Sequence, residues 1–581
     1  MENLYSRIRN FKLPKRSEIN YVFFSFSERE RVIFFSLVVV LLVSTIMLLE
    51  NINKSFMEGV PDHGGSVSEG ILGTPRFINP LLATSDADQG MVALIYSGLM
   101  RKTPDGTLIP DLAQNYEISK DGLTYTFTLK NNLFFQDGKS LTADDIIFTI
   151  NKAKDPAIKS PRKISWDGVG VEKIDEKTIQ FTLKQPYASF LENTTLGILP
   201  LHLWDGSIIE LNAANTNPIG SGPFMINSVS KQSSGIIDTY TLSSYKKFIL
   251  GKPYLNNITL HFYNNEDELV KAVENKTIEQ ASSIAPLNAE ILKEENYQIQ
   301  SSVLPRVFGI FFNQNQNQLF TNKIVVSAIN QAIDKDKIVR DVLFGYGEVI
   351  NSPIPPSIVA YQKSNITTTA AREEIVKKIQ ADLGKDGWKM GQDGVLQKTD
   401  KQKKNSRLEF SISTGNVPEL EKTADLIKQD LLQVGIKVNI QTFEIGTLNQ
   451  TIIRPRKYDA LLFGEIINRE SDLYAFWHSS QRKDPGLNVA MYTNSQVDKI
   501  LEDASITVDA VARVTKYLQF EEIIKRDMPA VFLYSPNLVS VVSKNIHQDN
   551  MNRIVSPSDR YLNAYLWYSQ TQNIWRIFVK K

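Results

Sequence analysis

Alternating apolar and hydroxylated residues form the clearest strand pattern in this chain. Residues 123–129 read LTYTFTL, with an apolar side chain at every second position. That period is typical of a strand with one buried face. Asp-Gly pairs at residues 105–106, 121–122 and 137–138 punctuate the region. They suit tight turns, because glycine accepts a positive φ and aspartate bonds to nearby backbone groups. The pattern predicts a half-buried strand between turns, within a small mixed α/β unit.

Apolar residues at helical spacing occur after this strand and again later in the chain. Thr142 and Asp145 have the spacing of a helix N-cap and an acid at N3, and isoleucines follow them. Residues 419–434 place a second apolar series on one helical face, and Gly435 is a stop signal. Strand patterns alternate with such helices over residues 306–535. This alternation predicts a sheet with helical crossovers.

The longest apolar run extends from Val32 to Leu49 and contains no charged residue. As a helix it would span about 27 Å at ~1.5 Å per residue, close to the ~30 Å of a hydrocarbon core. A buried core helix and a cleaved signal peptide are the alternatives. The apolar run is long, and no A-x-A-like cleavage site follows it. These features favour an uncleaved transmembrane anchor over residues 32–49.

Basic residues are concentrated on the N-terminal side of this apolar run. Residues 1–31 contain seven lysines and arginines, whereas residues 50–69 contain one lysine, Lys54. By the positive-inside rule, residues 1–31 form a cytoplasmic basic segment and the bulk of the chain is extracytoplasmic. Residues 50–65 read as a short polar linker. The expected location is the cell membrane, with a single pass.

Composition narrows the possible classes of protein. A chain of 581 residues is long enough for two or three domains. The net charge of +1 gives no basic field for nucleic acid, so no nucleic-acid partner is expected. The absence of cysteine excludes disulfides, thiol catalysis and cysteine-zinc sites, as well as a lipid-carrying N-terminal cysteine.

Motifs for catalysis and metal binding are absent from the sequence. The five histidines are isolated, and none has the i, i+4 partner of a zinc-binding helix. There is no G-x-S-x-G elbow and no glycine-rich phosphate loop. We therefore expect a non-enzyme without a cofactor or a bound metal.

Longer segments carry a more specific signal. They are YSGLMRKTPDGTLIPDLAQNYEISKDGLTYTFTLK (96–130), FQDGKSLTADDIIFTI (135–150), GTPRFINPLLATSDAD (73–88), PIGSGPFMI (218–226), AINQAIDKDKIVRDVLFGYG (328–347) and YDALLFG (458–464). Together they closely resemble the bacterial extracellular solute-binding proteins of family 5, which are the oligopeptide- and dipeptide-binding receptors of ABC importers. The resemblance extends from about residue 65 to the C-terminus.

The resemblance implies an α/β, two-lobed periplasmic-binding-protein-like fold with an extra inserted domain. Here one N-terminal transmembrane helix would precede it. Lobe I would combine residues 66–95, 202–305 and 536–581. Residues 96–201 would be an inserted domain of lobe I, and residues 306–535 would form lobe II. Many family members are anchored through a lipid-carrying cysteine, so this chain needs its apolar helix instead.

The best candidate for a binding cleft is the segment GEIINRESDLYAFWHSSQ (464–481), which follows a buried strand. Ligands bind beyond the carboxyl ends of strands in α/β sheets. Aromatic side chains can form the wall of a pocket, and polar side chains can orient a ligand. The candidates are Glu465, Asn468, Asp472, Tyr474, Trp477 and His478. For the three rings the alternative is a role in the core or a structural histidine.

This segment departs from the pattern of the family. Peptide-binding members usually have a tryptophan after the glycine and then an aspartate that pairs with the peptide α-ammonium. Here Glu465 stands at the tryptophan position and Asn468 lies near the aspartate position. A neutral amide is a weaker partner for a cation than a carboxylate. If the ligand is a peptide, Asp472 is the first choice for its ammonium, before Glu465.

Two further segments are expected to face the cleft. Ser85 and Asp86 follow the first strand, and capping of a helix is an equally good interpretation of Asp86. Arg306 and Asn313 belong to the strand pattern that begins lobe II. Arg306 could bind a ligand carboxylate bidentately, or it could form a surface salt bridge. The strand backbone could also bind an extended peptide.

These observations predict a membrane-anchored receptor of an ABC importer. It would close two lobes over a peptide or similar polar solute and deliver it to the transmembrane subunits of a permease, acting as a monomer. One alternative is a surface sensor or interaction protein with the same fold. The other is a receptor for a non-peptide solute such as a glycan or a chelated metal.

Overall fold

The computed structural model describes residues 15–356, 372–399, 405–548 and 554–579. The chain divides into two compact units. One contains the residues up to Asp62 together with those from Gln570 onward, and the other extends from His63 to Ser569.

We number the strands along the chain. They are β1 (Met57–Asp62), β2 (Ser66–Leu72), β3 (Met100–Lys102), β4 (Leu108–Pro110), β5 (Ala113–Ile118), β6 (Thr124–Leu129), β7 (Gly170–Lys173), β8 (Thr178–Thr182), β9 (Phe224–Lys231), β10 (Ile237–Ser244), β11 (Asn257–Tyr263), β12 (Gln280–Ser282), β13 (Gln298–Val303), β14 (Arg306–Phe312), β15 (Gly347–Val349), β16 (Lys389–Met390), β17 (Leu396–Thr399), β18 (Asn405–Arg407), β19 (Glu409–Gly415), β20 (Lys437–Phe443), β21 (Ala460–Ile466), β22 (Ala530–Val542) and β23 (Gln570–Trp575).

The α-helices are numbered in the same way. They are α1 (Arg16–Ser25), α2 (Glu28–Ser55), α3 (Asp86–Ile95), α4 (Ala143–Lys154), α5 (Lys163–Trp166), α6 (Phe190–Asn193), α7 (Leu201–Trp204), α8 (Glu266–Glu274), α9 (Pro286–Glu294), α10 (Lys323–Ala332), α11 (Lys335–Asp341), α12 (Arg372–Lys385), α13 (Pro418–Gln433), α14 (Ile445–Thr447), α15 (Asp472–Trp477), α16 (Ser495–Ile506) and α17 (Ala510–Asp527).

Helix α2 in the smaller unit contains the apolar run identified in the sequence. It is 28 residues long, none of its side chains is buried, and its most apolar stretch has a mean hydropathy of 3.0. A capping box starts the helix, in which the Ser27 backbone N–H donates to Glu30 Oε2 at 2.8 Å. Its length and composition make α2 a candidate transmembrane helix.

The structure differs from the sequence-based expectation in two segments that flank the globular unit along the sequence. Residues 50–65, read as a polar linker, contain the end of α2 and strand β1. Residues 570–575, expected in lobe I, form β23, which pairs antiparallel with β1 from Met57↔Trp575 to Asp62↔Gln570. The physical reason is that backbone groups of two distant segments satisfy each other, and neither segment has a strong strand pattern of its own.

A large mixed sheet runs through the globular unit. Its strand order is β20-β19-β21-β14-β22-β12-β2-β11-β10-β9, with β13 and β15 also paired to β22. Strand β22 pairs with β14 and β15 through its first half and with β12 and β13 through its second half. The predicted boundary between residues 535 and 536 therefore falls within one continuous strand.

Separate hydrophobic cores lie on either side of the point at which β22 changes its pairing partners. We call lobe I the elements around the core that joins residues such as Val67, Phe127 and Leu260. Lobe II consists of the elements around two cores on opposite faces of β14, represented by Ile310 and Phe311. The alternation of side chains along one strand places successive residues in different cores.

Several local predictions are confirmed within these lobes. Strand β6 lies in the four-stranded sheet β5-β6-β8-β7, with Tyr125 and Phe127 buried. Thr142 precedes α4 as predicted, and its backbone N–H donates to Asp145 Oδ2 at 2.8 Å. Helix α13 occupies the predicted helical segment, and Gly435 follows it with a φ of 86°. In each case short-range pattern and turn chemistry agree with the fold.

Candidate ligand-binding cavity

A cavity of about 480 Å³ lies between lobe I and lobe II. Its walls come from α3, from the segments around Arg162 and Asn193, and from residues 555–559 of lobe I. Lobe II contributes Arg306 at the start of β14 and Ile466 at the end of β21, which are opposite each other in the sheet register. The cavity thus lies where the loops after the central strands face lobe I, the usual place for a ligand in such sheets.

Asp86 is the first residue of α3 and lines this cavity. Its carboxylate has no hydrogen bond or ion pair with any described residue. Burial raises the pKa of Asp86, and the positive charge of Arg306 partly offsets that effect. The neighbouring Ser85 has a different role, because its hydroxyl accepts the Asp88 N–H at 3.1 Å and donates to Asp88 Oδ2 at 2.7 Å. Ser85 therefore caps the helix while Asp86 faces the cavity.

Arg306 reaches the cavity from lobe II. Burial lowers the pKa of its guanidinium, and the Asp86 carboxylate opposes this shift. The guanidinium makes no hydrogen bond within the described part of the chain, and its Nε is shielded from solvent. The backbone of Arg306 is engaged, since its carbonyl accepts from Ser535 Oγ at 2.5 Å and its N–H donates to the Leu304 carbonyl at 2.8 Å. A carboxylate and a guanidinium thus face one cavity from different lobes without being paired.

Arg469 connects the two lobes. Its Nη1 donates to Asn193 Oδ1 at 2.7 Å and to the Tyr187 hydroxyl at 3.2 Å, and its Nε lies 3.4 Å from Glu192. Burial alone would lower the pKa of Arg469, but its interactions with the Tyr187 hydroxyl and the Glu192 carboxylate outweigh that effect and raise the pKa. These contacts hold the loop after β21 against lobe I.

Asp472 shapes the loop that carries this arginine. Its Oδ2 accepts the backbone N–H groups of Asn468 and Arg469 at 2.9 and 3.0 Å. Burial raises the pKa of Asp472, while the hydrogen bonds and the Arg469 charge oppose the shift. Asn468 itself lines the cavity. The carboxylate that the sequence favours for a ligand ammonium is thus engaged by the protein backbone.

Arg162 was not anticipated from the sequence. It precedes α5 and lines the cavity with its side chain half-buried. The side chain has no hydrogen bond or ion pair with any residue that the structure describes, and Nε is shielded from solvent. Burial lowers the pKa of Arg162, and the nearby positive charge of Arg469 lowers it further. No local motif distinguishes this arginine from other basic residues in a loop.

Glu465 is buried and does not line the cavity. It is opposite Val307 in the pairing of β21 with β14 and is 2% exposed. Its Oε2 has no hydrogen-bond partner among the described residues. Burial raises the pKa of Glu465 well above its ordinary value, because the uncharged form of the carboxyl is favoured away from water.

The burial of Glu465 predicts a specific pH dependence of stability. Above about pH 4.5 the unfolded chain releases this proton while the native state keeps it. The unfolded state then binds fewer protons, so the free energy of unfolding falls as the pH rises. In Glu465→Gln the free energy of unfolding is expected to fall less steeply as the pH rises. The slopes of the two proteins should differ by up to about 1.4 kcal/mol per pH unit.

Denaturant unfolding at a series of pH values, followed by tryptophan fluorescence, measures this difference in slope. A difference in the free energy of unfolding that is the same at every pH reflects the burial of the glutamine amide. It carries no information about the titration of Glu465. Equal slopes for the two proteins above about pH 5 would show that Glu465 is ionised in the native state.

Four other candidates have partners within lobe II and do not line the cavity. Trp477 is fully buried against Phe311 and Phe532, with ring centroids 6.3 and 5.9 Å away. Tyr474 stacks on His478 at 4.2 Å. The remaining candidate, Asn313, is 2% exposed. Its Nδ2 donates to a backbone carbonyl at 3.0 Å. The contribution of these four residues to ligand binding stays a prediction.

The polar groups of the cavity suit non-covalent recognition. The described residues contain no group of three His, Asp or Glu side chains placed to hold a metal ion. What the cavity does offer is unpaired charge of both signs at its walls, together with amide side chains such as Asn468 and Gln89. Such groups orient a polar ligand by hydrogen bonds and ion pairs.

Comparison with known proteins gives a consistent result. The model of the family described as bacterial extracellular solute-binding proteins, family 5 Middle, matches residues 107–485. The oligopeptide-binding protein AppA of Bacillus subtilis (strain 168) is 30% identical over 84% of this chain and 89% of its own length. The glutathione-binding protein GsiB of Escherichia coli O6:K15:H31 is 27% identical over 81% of this chain and 88% of its own length.

The fold matches solved structures as well. AppA of Bacillus subtilis in complex with a nonapeptide aligns with a TM-score of 0.64 and 28% identity, covering 88% of this chain and all of that one. The two-lobed α/β fold expected from the sequence is therefore confirmed, with α2 as a candidate transmembrane helix in front of it. The chain belongs to the bacterial extracellular solute-binding proteins of family 5, a family of substrate-binding receptors.

Proposed function

We propose that this protein is the membrane-anchored, extracytoplasmic receptor of an ABC importer. It binds a peptide or a similar polar solute between its lobes and delivers it to a permease. The observation that carries the proposal is the pair of unpaired charges, Asp86 and Arg306, on the walls of one cavity. The names of its relatives, an oligopeptide-binding and a glutathione-binding protein, support this class of ligand.

A zwitterionic solute complements these two side chains. The Asp86 carboxylate can accept hydrogen bonds from an α-ammonium, and Arg306 can donate two parallel hydrogen bonds to a carboxylate. The cavity of about 480 Å³ lies within the range of roughly 300–1,000 Å³ that is typical of small-ligand sites. A short peptide meets these requirements.

Closure of the lobes needs no covalent chemistry. The contacts of Arg469 with Asn193 and Glu192 join lobe II to lobe I. A ligand that touches both Asp86 of lobe I and Arg306 of lobe II favours the closed arrangement, because it makes both contacts only there. The receptor acts as a monomer and releases its solute unchanged.

Identification of the solute tests this function. Full-length protein is purified in a mild detergent, the bound material is released by denaturation, and mass spectrometry identifies it. We expect a peptide or another solute that carries both an ammonium and a carboxylate, and its titration back into the protein should show binding without turnover. A recovered ligand that lacks both groups, or one that the protein converts to a product, would contradict the proposal.

The anchor is expected to remain on the mature protein. Helix α2 contains a long apolar stretch, has no buried side chain and is longer than a bilayer core requires. Full-length protein should therefore resist carbonate extraction from membranes, whereas a variant comprising residues 63–569 should be soluble. Mass spectrometry of the native N-terminus provides the check, and a mature chain that begins after Leu49 would show that the helix is a cleaved signal.

A further inference from the structure

We infer that the solute carries more negative than positive charge, and that the guanidinium of Arg162 binds its extra anionic group. This inference rests on the proposed function, since it defines the class of solute that the same cavity accepts. The expected ligand is an acidic peptide, or a peptide-like solute with a second carboxylate.

The balance of charge at the cavity wall supports this inference. The lining includes the cations Arg101, Lys102, Arg162, Arg306 and Arg469 and the acids Asp86, Asp111, Glu192 and Asp559. A charge in a cleft acts on a ligand only to the extent that the protein leaves it uncompensated. The hydrogen-bond and ion-pair partners of each charged side chain therefore decide which charges are available to the solute.

Most of the acids are compensated by the protein itself. Asp111 accepts a hydrogen bond from Arg101 at 2.8 Å, and both side chains are buried. Asp559 accepts the backbone N–H of Val555 at 2.8 Å. Asp86 is the acid that retains an unpaired carboxylate within the described residues.

The cations are compensated less completely. Arg469 has Glu192 as its partner, but the side chains of Arg162, Arg306 and Lys102 form no ion pair with any described residue. Three cations without an ion pair thus face two acids without one, Asp86 and Asp559, and of these two acids Asp86 also lacks a hydrogen bond within the described residues. A solute whose ammonium binds Asp86 and whose first carboxylate binds Arg306 leaves a positive charge on the wall, so a second anionic group is favourable.

Arg162 is the best placed of these cations to bind that second group. Arg469 donates to Asn193 Oδ1 at 2.7 Å, and Asn193 Nδ2 donates to the carbonyl of Ser165 at 2.8 Å. These contacts hold Arg469 against the segment that carries Arg162, both arginines line the cavity, and the positive charge of Arg469 acts on Arg162. Like charges repel, and a carboxylate bound to Arg162 offsets the repulsion from Arg469 with an attraction.

Matched peptides test the inference on full-length protein in detergent. The panel consists of di- and tripeptides that differ only by Glu or Gln at one position, and calorimetric titration measures their affinities. At least one Glu peptide is expected to bind about tenfold or more tightly than its Gln match, as for one charged hydrogen-bonded contact. In Arg162→Gln the ratio of the affinities for the Glu and Gln peptides is expected to fall to near one, while the affinity for the Gln peptide stays the same.

Four further measurements make the outcome unambiguous. Lys163→Gln removes the adjacent basic side chain, which does not line the cavity, and should leave the ratio unchanged. Melting curves of both variants show whether they are folded, and Arg162→Lys should restore part of the ratio. Glutarate and inorganic phosphate, tested alone, should raise the melting temperature of the wild type more than that of Arg162→Gln, and a response to phosphate alone would assign the site to a phosphate group.

The possible failures are distinguishable. Equal binding of Glu and Gln peptides, or a ratio that survives Arg162→Gln, would overturn the inference and leave the receptor function standing. If no peptide binds but glutarate stabilises the wild type through Arg162, the anion site stands and peptide binding fails. The absence of both responses overturns both proposals.

Discussion

Asp86→Asn is expected to weaken the binding of a peptide with a free N-terminus by at least about thirtyfold. Truncation of one partner of a hydrogen-bonded charge pair at an interface costs roughly 2–5 kcal/mol, and each ~1.4 kcal/mol is a factor of ten. Asparagine keeps the shape of the side chain and removes its charge. Because the Asp86 carboxylate has no hydrogen-bond or ion-pair partner among the described residues, the fold should be unaffected.

Calorimetric titration of full-length protein with free and N-acetylated forms of one peptide checks this expectation. The wild type should prefer the free form, and Asp86→Asn should bind both forms alike. Asp267→Asn, which changes an exposed acid at the start of α8, is the matched control. If Asp472→Asn abolishes the preference and Asp86→Asn does not, the ammonium binds at Asp472, as the sequence of the segment suggests.

Trp477→Ala is expected to lower the free energy of unfolding by about 3–5 kcal/mol. The indole is fully buried in a core of lobe II, where Phe311, Phe520 and Phe532 surround it. Removal of the ring leaves a cavity that neighbouring strands cannot close. Ligand affinity should change little at temperatures at which the variant is folded, because the ring does not line the binding cavity.

Denaturant unfolding and titration of the same samples separate the two effects. Trp477→Phe should lose much less stability, since it fills most of the space and its indole N–H has no partner among the described residues. Trp575→Ala removes a tryptophan that is 44% exposed and serves as a control for loss of fluorescence signal. A large loss of affinity in Trp477→Ala with unchanged stability would mean that the ring contacts the ligand.

Together these variants separate recognition from structural support in the segment after β21. In peptide-binding relatives this segment is expected to hold an acid for the ligand ammonium. In this chain Asn468 has the corresponding place on the cavity wall, while Asp472 binds the loop backbone. The unpaired acid comes instead from lobe I, at Asp86. Under the proposed function, Asp86 would bind the ligand ammonium from lobe I in place of an acid in this segment.

The sequence by itself determined the local elements and the class of the protein. The alternation in residues 123–129 predicts β6, because side chains in a strand point alternately to opposite faces. Thr142 with Asp145 predicts the start of α4, because an N-cap satisfies free backbone N–H groups. The apolar run 32–49 predicts a helix of membrane length. Each of these depends on residues close together in the chain.

Only the tertiary structure decided which side chains share the cavity. Arg306 is a candidate from its place in the chain, but no sequence pattern distinguishes Arg162 and Arg469 from solvent-exposed arginines, and the three residues are far apart in sequence. The sequence favours Trp477 as a pocket wall, with a core position as the alternative, and the contacts of its ring with Phe311 and Phe532 place it in the core. The burial of a side chain and its ion-pair partners depend on contacts between distant segments of the chain. The pairing of β23 with β1 depends on such contacts as well. Local propensity carries no information about such contacts, since they form only when the whole chain has folded.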